Sequence, residues 1–280
     1  MQVVNSEEEL RKAFQSNQKR ASMFFGNGEM YAEKAIEKAR HIEFQLLADQ
    51  HGNVLHLYER DCSVQRRHQK VIEESPSPFL DEQVIEEIGA LATNALKKIG
   101  YVNAGTIECL VDDKKNVYFL EMNTRLQVEH PVTEEITGLD LVEWQIRIAA
   151  GEALPFTQNE VTRHGHAIEA RIYAEDPKRF FPSPGTITEL FLPMAPNIRH
   201  ECGVEIGSVV TPYYDPMIAK VIVKGETRMD AIQKLKIALE QYKVTGIKTN
   251  IPMVLDVLSH RVFEQGQANT AFVRDYIQKR

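Results

Sequence analysis

The sequence predicts an α+β fold in which a mostly antiparallel sheet is packed by helices, and three observations carry that prediction. Two pairs of apolar runs, residues 42–48 with 54–58 and 106–111 with 117–121, are each joined by a short polar turn, 49–53 and 112–116, in the manner of hairpins. Between the pairs, residues 80–99 repeat apolar side chains at helical spacing, with Val84, Ile88, Leu91, Ala95 and Ile99 on one side. Beyond Gly151 a second series of strand-like runs is followed by helix-like ones, giving a second α+β unit.

In chain order, residues 5–14 open on a Ser6 cap and the acidic first turn Glu7, Glu8 and Glu9 of a helix. The two hairpins and the helix between them follow. Residues 139–150 read as a helix that the stretch from Gly151 to Pro155 breaks, so a boundary is placed there. Downstream, 165–174, 185–191 and 216–223 read as strands, and 228–242 and 250–258 as helices. The segments from Pro182 to Gly185 and from Tyr213 to Met217 are turn chemistry. The chain divides into residues 1–35, 36–150 and 151–280.

Composition narrows the function. A chain of 280 residues, 43% hydrophobic and 26% charged, is a globular protein with ample core. Its formal net charge of −7 argues against nucleic-acid binding, because phosphate contacts need a basic surface. No apolar run is long enough to span a bilayer, and the first residues lack the basic start and apolar core of a signal peptide. Cys62, Cys109 and Cys202 are widely spaced with no CxxC pair, which fits a reducing, cytoplasmic setting.

The chemistry concentrates at Glu121-Met-Asn-Thr-Arg-Leu-Gln-Val-Glu129. A period-two strand here would put Glu121, Asn123, Arg125, Gln127 and Glu129 on one face, a mix that suits a metal ion and a small oxyanion. A hairpin centred on Lys114 and Lys115 would set Glu108 directly opposite Glu121. Like charges so placed cost about 0.2–1 kcal/mol unless a cation lies between them, and Asn123 offers a further oxygen. The alternative is a solvated hairpin whose register means nothing. Glu129, beside Arg125 and Lys70, could take a proton from a bound acid or could form only a salt bridge with Arg125. His130 precedes Pro131, is held extended and has no catalytic role.

A second cluster gathers Arg66, Arg67, His68 and Lys70 in an otherwise acidic chain. In an extended stretch Arg66, His68 and Lys70 would share a face as an anion trap, the alternative being a solvated basic loop balancing Glu73 and Glu74. Arg171 falls on the strand read at 165–174 with Glu169 and Tyr173 on its face, where an arginine is more often structural than catalytic.

Taken together, Arg66-Arg-His-Gln-Lys70, the run from Glu121 to Glu135, Glu175-Asp-Pro177, Pro182-Ser-Pro-Gly185 and Gly246-Ile-Lys-Thr-Asn250 closely resemble the biotin carboxylase component of biotin-dependent carboxylases. The likeness runs over essentially the whole chain and leans towards the acyl-CoA carboxylases of fatty acid biosynthesis. It implies an ATP-grasp fold continuing into a C-terminal α+β subdomain. It further implies that Glu33, Lys34, Ile36, His41, Gln65, His68 and Leu110 meet the nucleotide, and that Glu108 and Glu121, with Asn123 close by, hold magnesium or manganese. Lys70, Arg125, Gln127, Val128 and Glu129 then form a bicarbonate pocket, and Arg171 stabilises a biotin enolate. The implied reaction makes carboxyphosphate from ATP and bicarbonate and carboxylates biotin on a carrier domain, which then visits a carboxyltransferase; a homodimer is the implied assembly. Because the chain starts about where the family's glycine-rich lid ends, residues 1–35 are expected to be a lid remnant, with weak ATP binding and little turnover by the chain alone. Two rivals stand beside this reading: an ATP-grasp ligase of the carbamoyl-phosphate synthetase type, and a non-catalytic module whose role is dimerisation.

Overall fold

The computed structural model describes residues 2–278, in two compact units, Met1–Glu37 and Lys38–Arg280. The first unit is built on helix α1 (Glu7–Phe25). The Ser6 hydroxyl accepts from the Glu9 amide, and the Glu9 carboxylate accepts from the Asn5 amide, so two unpaired N–H groups at the helix start are satisfied. Gly26, at φ 70°, ends the helix in the left-handed conformation open to glycine. Residues 27–36 form neither helix nor strand.

The second unit is organised by one eight-stranded sheet. Its strands are β1 (Arg40–Ala48), β2 (Val54–Arg66), β3 (Gln69–Ser75), β4 (Asn103–Val111), β5 (Val117–Asn123), β6 (His166–Tyr173), β9 (Ile198–Cys202) and β11 (Met217–Gly225), in the order β5-β4-β1-β2-β3-β6-β11-β9. Every pairing is antiparallel. Two small ribbons pair β7 (Gly185–Thr186) with β10 (Val209–Val210) and β8 (Glu189–Phe191) with β12 (Lys243–Thr245). The helices are α2 (Glu82–Ile99), α3 (His130–Thr137), α4 (Leu141–Ala149), α5 (Arg228–Gln241), α6 (Ile251–Leu258) and the short α7 (Arg261–Glu264). None of the described helices is long and apolar enough to cross a membrane.

Alternation along β1 sorts the two faces. Ile42, Phe44, Leu46 and Ala48 are buried among Ile85, Ala92 and Leu96 of α2. His41, Glu43 and Gln45 point the other way, into a buried polar layer that α3 helps to cover. Further along the sheet, Ile168, Ala170 and Ile172 of β6 pack with Ile232, Leu235 and Leu239 of α5 and Val254 and Val257 of α6.

Several expectations need correction. The strand foreseen at 54–58 runs on to Arg66 and turns back as β3, a hairpin concealed by the polar run from Glu59 to Gln65. Its tip is Arg67 and His68, both at positive φ (50° and 65°). The strand expected at 185–191 is two strands, because Ile187 donates to the Ser208 carbonyl and Thr188 to that of Thr245, so the chain changes partners midway. The polar strand foreseen through Glu129 ends at Asn123. Arg125 Nη1 turns back onto the Leu126 carbonyl and Gln127 Oε1 (3.1 and 2.7 Å), and Pro131 sits in the first turn of α3, where a fixed φ and a missing N–H suit a helix start. His130 is accordingly helical, not extended. The hairpin register is as expected at its centre: Glu108 faces Glu121, and a bulge between Glu108 and Cys109 shifts the pairing towards the turn.

Candidate active site

The polar layer is built around Arg60, which is fully buried. Its guanidinium donates to Glu43 Oε1 at 2.6 Å, Gln45 Oε1 at 2.7 Å, Thr133 Oγ1 at 2.9 Å and Thr106 Oγ1 at 3.3 Å. One residue thus ties β1, β2, β4 and α3 together. Burial pushes the Glu43 carboxyl up, but Arg60, Lys70 and His41 outweigh it and hold it down at about 2.

Lys70, at the start of β3, reaches three carboxylates: Glu43 Oε2 at 2.7 Å, Glu108 Oε1 at 3.0 Å and Glu129 Oε1 at 2.5 Å. Burial works against its charge, yet Cys62, Glu43, Glu129 and Glu108 together raise it above the ordinary lysine value. Glu108 also accepts from Gln127 Nε2 at 2.7 Å, and His41 Nε2 lies 3.2 Å away. Burial of Glu108 is outweighed by His41 and Lys70, which hold its carboxyl at about 2.

Glu129 caps the start of α3 and is 1% exposed. Its second oxygen accepts from Arg171 Nη2 at 2.8 Å, while Arg171 Nε lies 2.7 Å from Glu73 Oε1. Arg171 is therefore a bridge between a carboxylate of the sheet floor and one facing the site. Asn250 fixes that end of β6, its side chain donating to the Arg171 carbonyl (2.9 Å) and accepting from the Tyr173 amide (2.8 Å). The result is a carboxylate gripped by an ammonium and a guanidinium, beside a second carboxylate, Glu108, that faces exposed Glu121 across the hairpin.

These residues fit a hard divalent cation. Glu108, Glu121 and Asn123 supply three side-chain oxygens on one face of the hairpin, which is the donor chemistry magnesium takes. His41, Glu43 and Glu108 also bring ligand atoms within 4.8 Å of one another, and the Lys70 ammonium pairs with Glu43 and with Glu108, the carboxylate that both sets share.

Comparison with known proteins resolves what this constellation belongs to. Residues 1–157 match the family described as "Carbamoyl-phosphate synthase L chain, ATP binding domain", and residues 169–275 match "Biotin carboxylase C-terminal domain". The chain belongs to the biotin carboxylase family. It is 64% identical over 277 residues to biotin carboxylase 2 of Bacillus subtilis, covering 99% of this chain and 62% of that enzyme. It is 48% identical to the mitochondrial methylcrotonoyl-CoA carboxylase subunit alpha of Rattus norvegicus, over 98% of this chain and 38% of that subunit. Among solved structures, the biotin carboxylase domain dimer of 2-oxoglutarate carboxylase from Hydrogenobacter thermophilus, in complex with MgADP, ADP and bicarbonate, superposes with a TM-score of 0.95 at 46% identity. That match covers 99% of this chain and 61% of that one. The chain thus spans about three fifths of the length of the biotin carboxylases it resembles.

Within this family member, the residues singled out from sequence separate into groups. Lys70, Glu108, Gln127, Glu129 and Arg171 meet in one network with His41. Arg125 is exposed and reaches it through Gln127, with Asn123 Oδ1 3.2 Å away. No pairing joins Arg125 to Glu129 among the described residues. The Val128 carbonyl accepts from Lys220 Nζ at 2.7 Å. Leu110 lies opposite His41 on the neighbouring strand, and buried Gln65 donates to the Cys62 carbonyl. Glu33, Lys34 and Ile36 fall in the irregular stretch of the first unit.

The expected anion trap does not form as drawn. Arg66 is buried and pairs with Glu175 at 2.8 Å, Arg67 and His68 are exposed on the hairpin tip, and only Lys70 enters the network. The sequence alone assigned no site role to Glu43, Arg60, Glu73, Glu169 or Asn250, although it placed Glu169 on the face of Arg171. For Glu43 the signal was present: His41, Glu43 and Gln45 alternate with Ile42, Phe44 and Leu46.

Proposed function

We propose that this chain carries the biotin-carboxylating site of a biotin carboxylase, which uses ATP and bicarbonate to carboxylate biotin through carboxyphosphate. The observation that carries the reading is the double hold on Glu129 by Lys70 and Arg171, next to the Glu108–Glu121 pair. Glu129 takes the bicarbonate proton as a bicarbonate oxygen forms a bond to the γ-phosphorus and the bond to ADP breaks. Lys70, Arg125, Gln127 and the Val128 backbone surround the anion. His41, Gln65, His68 and Leu110 meet the nucleotide. Glu108 and Glu121, with Asn123, would hold magnesium or manganese, which when bound offsets phosphate charge. After carboxyphosphate releases carbon dioxide, phosphate removes the ureido proton of biotin and Arg171 stabilises the enolate.

The relative's complex with MgADP and bicarbonate supports these ligands, and its dimer supports a homodimer. The subunit relatives support a multi-subunit acyl-CoA carboxylase, in which the partners we propose are a biotin carrier domain and a carboxyltransferase. Bacterial relatives and three free thiols support the cytoplasm. Residues 36–150 serve as the nucleotide and metal segment, and 151–280 as the one that brings Arg171.

The test replaces the matching 277 residues of the Bacillus subtilis enzyme with this sequence and measures ADP release with ATP, magnesium and bicarbonate. Biotin-stimulated release is expected. Release indifferent to biotin would favour the carbamoyl-phosphate type of ligase, and a folded hybrid without release would favour a non-catalytic module.

A further inference from the structure

Beneath Arg171 lie two glutamates that the reaction leaves unused. Glu73 on β3 and Glu169 on β6 are directly opposed in an antiparallel pair, and both are 0% exposed. Opposed residues bring their Cβ atoms to within about 4.5–5.5 Å, so two carboxylates here would repel at close range without water between them. Neither oxygen of either carboxyl has a hydrogen-bond partner of good geometry among the described residues. The cations nearby are unequal. Arg171 Nε stands 2.7 Å from Glu73, whereas Lys220 Nζ is 4.0 Å from Glu169 and is engaged by Glu201 at 2.6 Å and the Val128 carbonyl.

We propose that Glu73 and Glu169 share a proton, with the negative charge on Glu73, and that this charge sets how tightly Arg171 grips Glu129. Glu73 is then a positioning residue for the carboxylation site and Glu169 the keeper of the proton. The pair itself rests on the packing; its effect on turnover rests on the roles proposed for Arg171 and Glu129.

A proton held by Glu169 supplies the donor that the unpartnered oxygens of the pair lack. Burial pushes the Glu73 carboxyl up to about 7, with Arg171 opposing and Glu129 adding to the shift. Burial, reinforced by Glu73, pushes Glu169 well above the usual carboxylate range. The charged and titratable groups around the pair are Arg171 and Tyr173 on β6, Glu129 at the start of α3, Lys220 on β11 with Glu201 on β9 behind it, Lys70 on β3, Glu43 on β1 and Cys62 on β2. As pH falls through neutrality Glu73 takes up a proton, Arg171 keeps only Glu129, and the closer pairing weakens Glu129 as a base.

Two measurements test this. In the chain labelled with ¹³C at glutamate carboxyls, Glu73 should titrate near pH 7, assigned by its loss in Glu73→Gln. In Glu169→Gln its midpoint should move by no more than about half a unit, whereas in Glu73→Gln the Glu169 midpoint should drop, because a like charge is gone. In the hybrid enzyme, Glu73→Gln should run at the native acid-side rate across the pH range, about tenfold below the native rate at pH 8, without the native step. Both carboxyls titrating near the ordinary value of about 4.3 would overturn the pair. An active native hybrid whose pH step survives Glu73→Gln would overturn the link to Arg171. A native hybrid with no activity would refute the proposed function and leave the pair to be judged by its titration.

Discussion

Replacing Arg60 with methionine removes one side of a buried ion pair while keeping a long side chain in the space. Breaking such a pair costs about 3–5 kcal/mol, because the remaining charge stays buried without its partner. Lys70, still 2.7 Å from Glu43 Oε2, places the expected loss at the lower end of that range. For a body the size of Lys38–Arg280, each kcal/mol moves the melting temperature by about 2–4 °C, so Arg60→Met should lower it by about 6–12 °C. The acid side gives a second reading. The Glu43 carboxyl lies at about 2 in the fold against an ordinary value of 4.5, a difference worth about 3 kcal/mol. Because the folded value is depressed, that stability is fully present above pH 4.5 and is lost as pH falls towards 2. Urea unfolding between pH 7 and pH 2 measures both quantities. A loss under about 1 kcal/mol at pH 7, with the acid slope unchanged, would refute the placing of Arg60 at the centre of the layer.

Three further outcomes follow from the geometry. Arg171→Lys cannot keep contacts to both Glu73 and Glu129 with a single ammonium, so biotin-stimulated ADP release in the hybrid should fall about 10²-fold with the KM for ATP little changed. Glu121→Ala should raise the magnesium concentration for half-maximal release at least about tenfold. Its unfolding midpoint should stay put, since Glu121 is exposed. Gly246→Ala would drive a methyl group into the Thr186 carbonyl at a positive φ of 90°, and should cost more than about 1 kcal/mol in urea unfolding.

Legibility in the sequence followed physical locality. The Glu108–Glu121 pairing was readable because a short turn fixes hairpin register, and the helices at 82–99 and 228–241 because apolar spacing repeats over several turns. The hairpin of β2 and β3 escaped because Arg60, Asp61, Ser63 and Gln65 are buried polar residues, and the partners that bury Arg60 lie on β1, β4 and α3. The end of β5 escaped because the turn after Asn123 is held by side-chain contacts of Arg125 that no local propensity encodes. Arg171 drew weight only through family likeness, since its contacts to Glu73 and Glu129 join distant stretches of chain.

The pairing of β3 with β6 has a consequence for biosynthesis. About 90 residues separate the two strands, and a ribosome adds about 5–20 residues per second, so β3 waits several seconds for its neighbour. Throughout that interval a strand carrying Val71, Ile72 and Glu73 presents an open edge, the kind of surface that recruits other chains. A nascent chain stalled between Gly151 and Gly165 would therefore be a sticky intermediate, and holding it apart from its neighbours is work for a chaperone rather than for its own sequence.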